Sequence, residues 1–89
     1  MDHKLKTWTA PFQAMWEGRK RFEFRKNDRD FNVGDWLTLQ EWNPGTEYTG
    51  REMNARVTWI LKEGFGLPVG YCIMSLRLGL RTDRGKGQL

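Results

Sequence analysis

The sequence predicts a small, mainly β fold of the α+β class, with about five strands and one or two short helices. Three observations support this fold class. Several short runs alternate apolar and polar residues, as strands with one buried face do. Clusters of Gly, Pro, Asn and Asp separate those runs, and apolar residues at helical spacing occur only near the amino terminus. At 89 residues the chain can bury one apolar core, and a partly closed barrel would leave few strand edges exposed.

The first two elements are a strand and a helix. Residues 3–7 alternate between a face that contains Leu5 and a face with two lysines, which predicts a strand. Residues 10–17 place apolar side chains three and four positions apart, which predicts a short amphipathic helix packed against the barrel. Gly18 can adopt the left-handed conformation that ends such a helix.

The next run has the period of a strand. Within residues 21–25, Phe22 and Phe24 lie on one face, while Glu23 and Arg25 lie on the other. We expect the two phenylalanines to pack against the core and the charged face to lie outside it. The polar residues that follow predict a turn before the chain re-enters the sheet.

Two further strands are predicted in the middle of the chain. Residues 35–42 alternate around two leucines, and residues 43–50 are rich in turn-forming residues. Residues 52–62 form the longest alternating run, in which Trp59 shares a face with Val57. We therefore expect a hairpin whose second strand contributes Trp59 to the core.

The last strand and the tail differ in character. After a glycine-rich loop, residues 71–78 predict a final strand that is buried on much of both faces. We expect the folded domain to comprise residues 1–77 and a flexible basic tail to comprise residues 78–89. Residues 1–76 carry 11 Lys and Arg against 10 Asp and Glu, a net charge of +1, and residues 77–89 carry 4 against 1, a net charge of +3. The totals therefore indicate no broad basic face, and the tail would add only weak, salt-sensitive attraction to phosphate.

Cysteine and histidine usage limits the classes of site. Cys72 is the single cysteine, so no internal disulfide can form, and its apolar neighbours predict a buried structural thiol. Cys72 and the single histidine, His3, cannot form a metal site unless carboxylates supply the remaining ligands. We therefore predict no metal and no cofactor. No apolar run approaches the roughly 20 residues of a membrane span, and no signal peptide is recognisable. We expect a cytoplasmic protein with no membrane partner.

One charged cluster is a candidate site. Glu23 and Arg25 share a strand face, and Lys20 precedes them at the junction with the helix. A carboxylate between two cations can be held ionised and oriented, with donors left for a phosphate, a carbonyl or a base edge. If the face is instead open to solvent, the same residues form exposed ion pairs worth about 0.2 to 1 kcal/mol each. Both interpretations remain open from the pattern alone.

The stretch "GRKRFEFR" fits the pattern G-x-K-x-x-E-x-R, with Gly18, Lys20, Glu23 and Arg25 at its four fixed positions. This pattern resembles the signature of the ASCH domain family, a branch of the PUA-like β-barrels. Four stretches resemble, in the same order, small and mostly uncharacterised ASCH-like proteins of bacteria and phages: "HKLKTW", "FEFRKNDRDFNVGDWLTLQEW", "YTGRE" and "GFGLPVGYCIMSL". The resemblance covers about residues 3–76.

The resemblance implies a PUA-like barrel with a cleft between helix and barrel that accepts RNA or a modified nucleotide. Lys20, Glu23 and Arg25 would line this cleft, and Lys6 would approach it from beside the helix. Some relatives remove the acetyl group from acetylated cytidine with a lysine, a threonine and a distant glutamate. This chain keeps the lysine as Lys20, has Glu23 at the position of the threonine, and has too short a loop after residue 62 to supply the distant glutamate.

Three classes of function follow. The first is a binding module for RNA or a modified nucleoside. The second is a small hydrolase, either a nucleoside amidohydrolase or a ribonuclease, with Lys20 and Glu23 as catalytic residues. A carboxylate beside the amine favours the ammonium form of Lys20, which disfavours a nucleophilic role. The third is a bacterial or phage protein that binds a protein partner. We expect the first.

Other residues are weaker candidates for the cleft. Trp8 follows the first strand near the expected mouth of the cleft and could stack on a base, whereas Trp16 and Trp59 are expected in the core. Asn27 and Arg29 are placed at the rim of the cleft, with a turn in which Asn27 or Asp28 satisfies its own backbone as the alternative.

Overall fold

The structure, a computed structural model, describes residues 1–84. It is mainly β, with one short helix near the amino terminus, which confirms the predicted class. The elements in chain order are β1 (Asp2–Trp8), α1 (Thr9–Trp16), β2 (Phe22–Lys26), β3 (Trp36–Asn43), β4 (Glu47–Leu61) and β5 (Tyr71–Asp83).

All five strands belong to one sheet in the order β1-β3-β4-β5-β2. β1 pairs with β3 in parallel, and the other neighbouring strands are antiparallel. The sheet curls into a half-barrel, so its two edge strands, β1 and β2, approach each other. Arg25 on β2 donates a hydrogen bond from Nη2 to the carbonyl oxygen of Lys6 on β1. Side chains therefore join the two edges, and we call the line between them the seam.

The core lies inside the curl of the sheet. On β1, His3, Leu5 and Thr7 are buried in alternation, as the sequence predicts, and α1 covers the core with Phe12 and Met15. The other large contributors come from the loop before β3 and from the central strands: Phe31, Leu37, Leu39, Met53, Val57, Met74 and Leu76. Cys72 is also fully buried, and burial raises the pKa of its thiol, so the thiolate is disfavoured.

The inward face of β4 changes at a bulge. Met53, Ala55 and Val57 are buried, but the register against β5 shifts between Val57 and Trp59. Beyond the shift, Trp59 is 57 % exposed and Ile60 packs against the core. The prediction of a buried Trp59 was wrong because a bulge adds a residue and moves the following side chains to the other face.

The orientation of β2 also differs from the prediction. Phe22 and Phe24 are 47 % and 49 % exposed, whereas Glu23 is 4 % exposed. The inward side of this edge strand faces Lys20 and the guanidinium of Arg25 rather than an apolar core. A carboxylate gains two charged partners there, which offsets the cost of its burial.

β5 is longer than predicted. Residues 79–83 continue the strand beyond its predicted end at residue 78 and pair with the first half of β4, up to Arg51 opposite Asp83. At Gly79 an added Cβ would lie 3.2 Å from the carbonyl oxygen of Asn54, so glycine permits the close approach of the strands. The strand thus continues past residue 77, where the sequence analysis placed the end of the folded domain. The remainder of the predicted tail, residues 85–89, lies outside the described residues.

Two buried carboxylates that the sequence analysis did not single out stabilise this fold. Hydrogen bonds from Arg51 and Thr49 hold the pKa of Glu41 below its ordinary value of 4.5, against the effect of burial. Burial by itself would raise the pKa of Asp35. Hydrogen bonds from His3, from the Asn32 N–H and from the terminal amine instead keep it below the ordinary 3.8.

These lowered pKa values predict a loss of stability in acid. Because the folded-state pKa of Glu41 lies below the unfolded-state value near 4.5, its contribution is present above pH 4.5 and is lost as the pH falls through the folded value. In urea unfolding followed from pH 6 to pH 3, we expect Glu41→Gln to be much less stable than wild type at pH 6. The difference in the free energy of unfolding between wild type and Glu41→Gln should narrow as the wild-type carboxylate becomes protonated. A difference that stays constant with pH would contradict the lowered pKa of Glu41.

Candidate functional site

A cleft of about 710 Å³ opens along the seam, and we call it the seam cleft. Its walls are the edge strands β1 and β2, and α1 contributes Pro11 at one end. The sequence-based expectation placed the cleft between helix and barrel, whereas two strand edges form its walls. The lining residues are Lys6, Thr7, Trp8, Pro11, Lys20, Phe22, Glu23, Phe24, Arg25, Lys26, Asp28 and Tyr71.

Glu23 forms the floor of the seam cleft between two cations. Its Oε1 accepts a hydrogen bond from Lys20 Nζ at 2.9 Å, and its Oε2 accepts one from Arg25 Nε at 2.5 Å. Lys20 Nζ also donates to the carbonyl oxygen of Phe22 at 2.6 Å. Both carboxylate oxygens are thus engaged in charge-assisted hydrogen bonds, while an ammonium group has a third donor that can face a ligand.

Arginine side chains replace backbone pairing across the seam. Besides the Lys6 carbonyl, Arg25 Nη2 donates to Thr7 Oγ1 at 3.3 Å. Further along β1, Arg29 Nη1 donates to the carbonyl oxygen of Lys4 at 2.7 Å. Carbonyl groups on an edge strand have no strand partner on that side, and a planar guanidinium can satisfy them while it binds a carboxylate.

Aromatic rings stand on both lips of the seam cleft. On the β1 side, Trp8 is 58 % exposed and packs edge to face on Trp42, with ring centroids 5.4 Å apart. On the β2 side, Phe24 stacks on Tyr71 at the same centroid distance. The Lys6 ammonium lies 4.3 Å from the centre of the Trp42 ring. Flat apolar surfaces and cations are therefore adjacent on the two lips.

The charges of the lining favour an anion. Four cationic side chains (Lys6, Lys20, Arg25 and Lys26) face two carboxylates (Glu23 and Asp28), which gives a net charge of +2. Lys20 and Arg25 together exceed Glu23 by one positive charge, and Lys6 and Lys26 exceed Asp28 by one, so the net charge is shared between the floor and the other lining residues. Among residues 1–84, no group of three His, Cys, Asp or Glu side chains is placed to hold a metal ion.

The structure brings five of the predicted site residues together and separates two from them. Lys6, Trp8, Lys20, Glu23 and Arg25 all line the seam cleft. The remaining two, Asn27 and Arg29, serve the loop after β2 and lie outside the lining.

Asn27 stabilises the turn after β2, which was the alternative to a position at the rim of the cleft. Its Oδ1 accepts a hydrogen bond from the backbone N–H of Phe31 at 2.9 Å, which stabilises the turn. Arg29 ties the same loop to the edge of β1 through Lys4. Asp28, between them, does line the seam cleft, as does Tyr71 from β5. No local motif signals Tyr71, because only the pairing of β5 with β2 brings it to this site.

The fold and the site together define a small half-barrel protein with a charged cleft at the open edge of its sheet. The family described as "Domain of unknown function (DUF3850)" matches residues 2–76, and the chain belongs to this family.

A phage protein is also similar. The "Uncharacterized 12.9 kDa protein in GpA 3'region" of Escherichia phage P2 is 46 % identical over 56 residues, which cover 63 % of this chain. The aligned residues span about half of the phage protein, 50 % of its length. A phage relative agrees with the expectation from the sequence that similar proteins occur in phages. Within the described part of the chain, no helix is long and apolar enough to cross a membrane.

Proposed function

We propose that the chain is a PUA-like module of the ASCH type that binds RNA or a modified nucleotide in the seam cleft. The observation that carries this proposal is the buried Glu23 carboxylate, held between Lys20 and Arg25 at the floor of an open cleft. An oriented set of charged groups at the floor of a concave site is suited to the polar edge of a base.

The lips of the seam cleft supply the other two interactions that a nucleotide needs. Trp8 and Phe24 offer exposed rings, and stacking of a base on an aromatic side chain contributes about 1 to 3 kcal/mol. Lys6 and Lys26 place positive charge in the lining, where a phosphate would be neutralised. One nucleotide could thus engage the floor with its base and the rim with its phosphate.

The hydrogen bonds of Glu23 support binding more than catalysis. A general base needs an oxygen that can accept the proton of a substrate, and both oxygens of Glu23 already accept from Lys20 and Arg25. The hydrolase with Lys20 and Glu23 as catalytic residues therefore receives less support from the geometry. The carboxylate acts in this proposal as the group that orients the two cations.

Removal of the Lys20 ammonium should weaken ligand binding. Lys20→Met keeps much of the aliphatic stem but loses the donor that faces the cleft, so we expect affinity for the bound nucleotide to fall at least about tenfold. Isothermal titration with the four ribonucleoside monophosphates, acetylated cytidine and short single-stranded RNAs measures this effect. Circular dichroism confirms that the variant is folded.

Lys62→Met is the matched control, because it makes the same substitution at an exposed position outside the lining of the seam cleft. We expect it to bind as wild type does. Equal affinities of wild type and Lys20→Met would refute the site. Turnover of acetylated cytidine or RNA that disappears in Lys20→Met would support the hydrolase instead.

A further inference from the structure

A second, smaller depression is lined by three arginines. It has a volume of about 290 Å³, and we call it the arginine depression. Its lining consists of Gly18, Arg21, Leu76, Arg77, Leu78 and Arg81. No carboxylate from residues 1–84 lines it, in contrast to the seam cleft. The volume is at the lower end of that of ligand sites, which suits a group the size of a phosphate.

Two of the three guanidinium groups are held in place by carbonyl groups at the end of α1 and just after it. Arg81 Nε donates to the carbonyl oxygen of Trp16 at 2.9 Å, and Arg21 Nε donates to that of Gly18 at 3.1 Å. Carbonyl groups at the carboxyl end of a helix attract cations. With Nε engaged, each guanidinium still has Nη donors for a ligand, and their planar arrangement matches the oxygens of a phosphate.

The third arginine has no compensating charge. Arg77 makes no hydrogen bond or ion pair with any side chain that the structure describes, and it lies directly opposite Arg56 across β4 and β5. Like charges opposite each other on neighbouring strands are destabilising. A bound anion would relieve this repulsion, so the arrangement favours an anionic ligand.

We propose that the arginine depression binds a backbone phosphate of the RNA strand whose nucleotide occupies the seam cleft. The inference rests on the proposed function for the identity of the strand. The two sites are adjacent, because the consecutive residues Lys20 and Arg21 line the seam cleft and the arginine depression respectively. Both residues lie in the turn between α1 and β2, so an RNA strand that leaves the seam cleft across this turn runs towards the arginines.

Inorganic pyrophosphate tests the anion site independently of any base. In ¹H–¹⁵N spectra of the arginine Nε–Hε groups, we expect titration with pyrophosphate to shift Arg21 and Arg81 in wild type more than Arg29, which is tied to β1. In Arg77→Gln the shifts of Arg21 and Arg81 should need a several-fold higher concentration. Shifts of equal size at all arginines, or no shift, would overturn the proposal.

RNA length and salt dependence test the link between the two sites. For single strands, each lost phosphate contact lowers the slope of log affinity against log salt by about 0.7. We expect Arg77→Gln/Arg81→Gln to lower this slope by about 0.7 for an eight-nucleotide RNA and to leave the affinity for a mononucleotide unchanged. Lys62→Ala removes a charge outside both linings. It should change neither the salt slope for the RNA nor the affinity for the mononucleotide.

The outcomes separate the two proposals. Mononucleotide binding that depends on Lys20, together with an RNA slope unaffected by Arg77→Gln/Arg81→Gln, would overturn the arginine site and leave the seam cleft intact. Pyrophosphate binding at the arginines without any nucleotide binding in the seam cleft would refute the proposed function, and with it the RNA strand as the ligand of the arginines.

Discussion

Replacement of Arg51 by alanine is expected to lower the free energy of unfolding by about 3 to 5 kcal/mol. Arg51 binds both oxygens of the buried Glu41, with Nε 2.8 Å from Oε1 and Nη2 2.9 Å from Oε2. Its guanidinium also lies over the rings of Phe12 and Trp16 on α1, and Nη2 donates to Gln13 Oε1 at 2.7 Å. Without Arg51, a carboxylate remains buried with no counter-charge, and α1 loses one of its polar attachments to the sheet.

Chemical and thermal unfolding measured by circular dichroism would show this loss as a fall in melting temperature of well over about 10 °C. Arg19→Ala provides the control, because Arg19 and Glu17 also form an Arg–Glu pair but are exposed. We expect the control to lose less than about 1 kcal/mol. The double variant Glu41→Met/Arg51→Met should regain stability, since it removes both charges together. Equal, small losses in the two single variants would contradict the role of Arg51.

Glu23→Gln should both destabilise the fold and weaken nucleotide binding. The amide keeps the shape of the side chain, but Lys20 and Arg25 then lack a counter-charge. Its NH₂ group also faces a hydrogen-bond donor of one of these two cations, where the carboxylate had an acceptor oxygen. We expect a loss of about 2 to 3 kcal/mol in the free energy of unfolding. Nucleotide affinity should fall at least about tenfold, because the two cations repel each other out of their bound positions.

Urea unfolding and isothermal titration on the same preparations measure both effects, and Glu63→Gln, at an exposed position, is the control for charge removal alone. In Glu23→Gln/Lys20→Met the repulsion is relieved, so stability should recover in part while binding stays lost. Wild-type stability of Glu23→Gln would show that the carboxylate is not held between the cations as described.

The strands were predictable where their environment is uniform. Alternation correctly identified the inward side chains of β1 and β3, because each of these strands has the core on one face throughout. It was wrong for Trp59, because a bulge in β4 depends on pairing with β5 and leaves no mark on the spacing of apolar residues. It was also wrong for Phe22, because an edge strand that borders a charged cleft does not bury its apolar face.

The candidate site was predictable as a set of residues but not as an arrangement. The spacing of Lys20, Glu23 and Arg25 placed them together, and the structure shows all three in one cleft. Their inward orientation could not be predicted, because it depends on the approach of β1 to β2, which are the farthest strands in the sheet order. Arg51 and Glu41 were missed for a similar reason, since the pair forms only when β3 and β4 are aligned.

The arginines that cross the seam have a further consequence for the behaviour of the protein in a concentrated solution. An edge strand with unoccupied carbonyl groups can accept the backbone of another molecule and so begin aggregation. On β1, the carbonyl groups of Lys4 and Lys6 are already occupied by Arg29 and Arg25. The arginines that cross the seam therefore make these two acceptors unavailable to a strand of another molecule, so the sheet can remain open while this edge is protected from self-association.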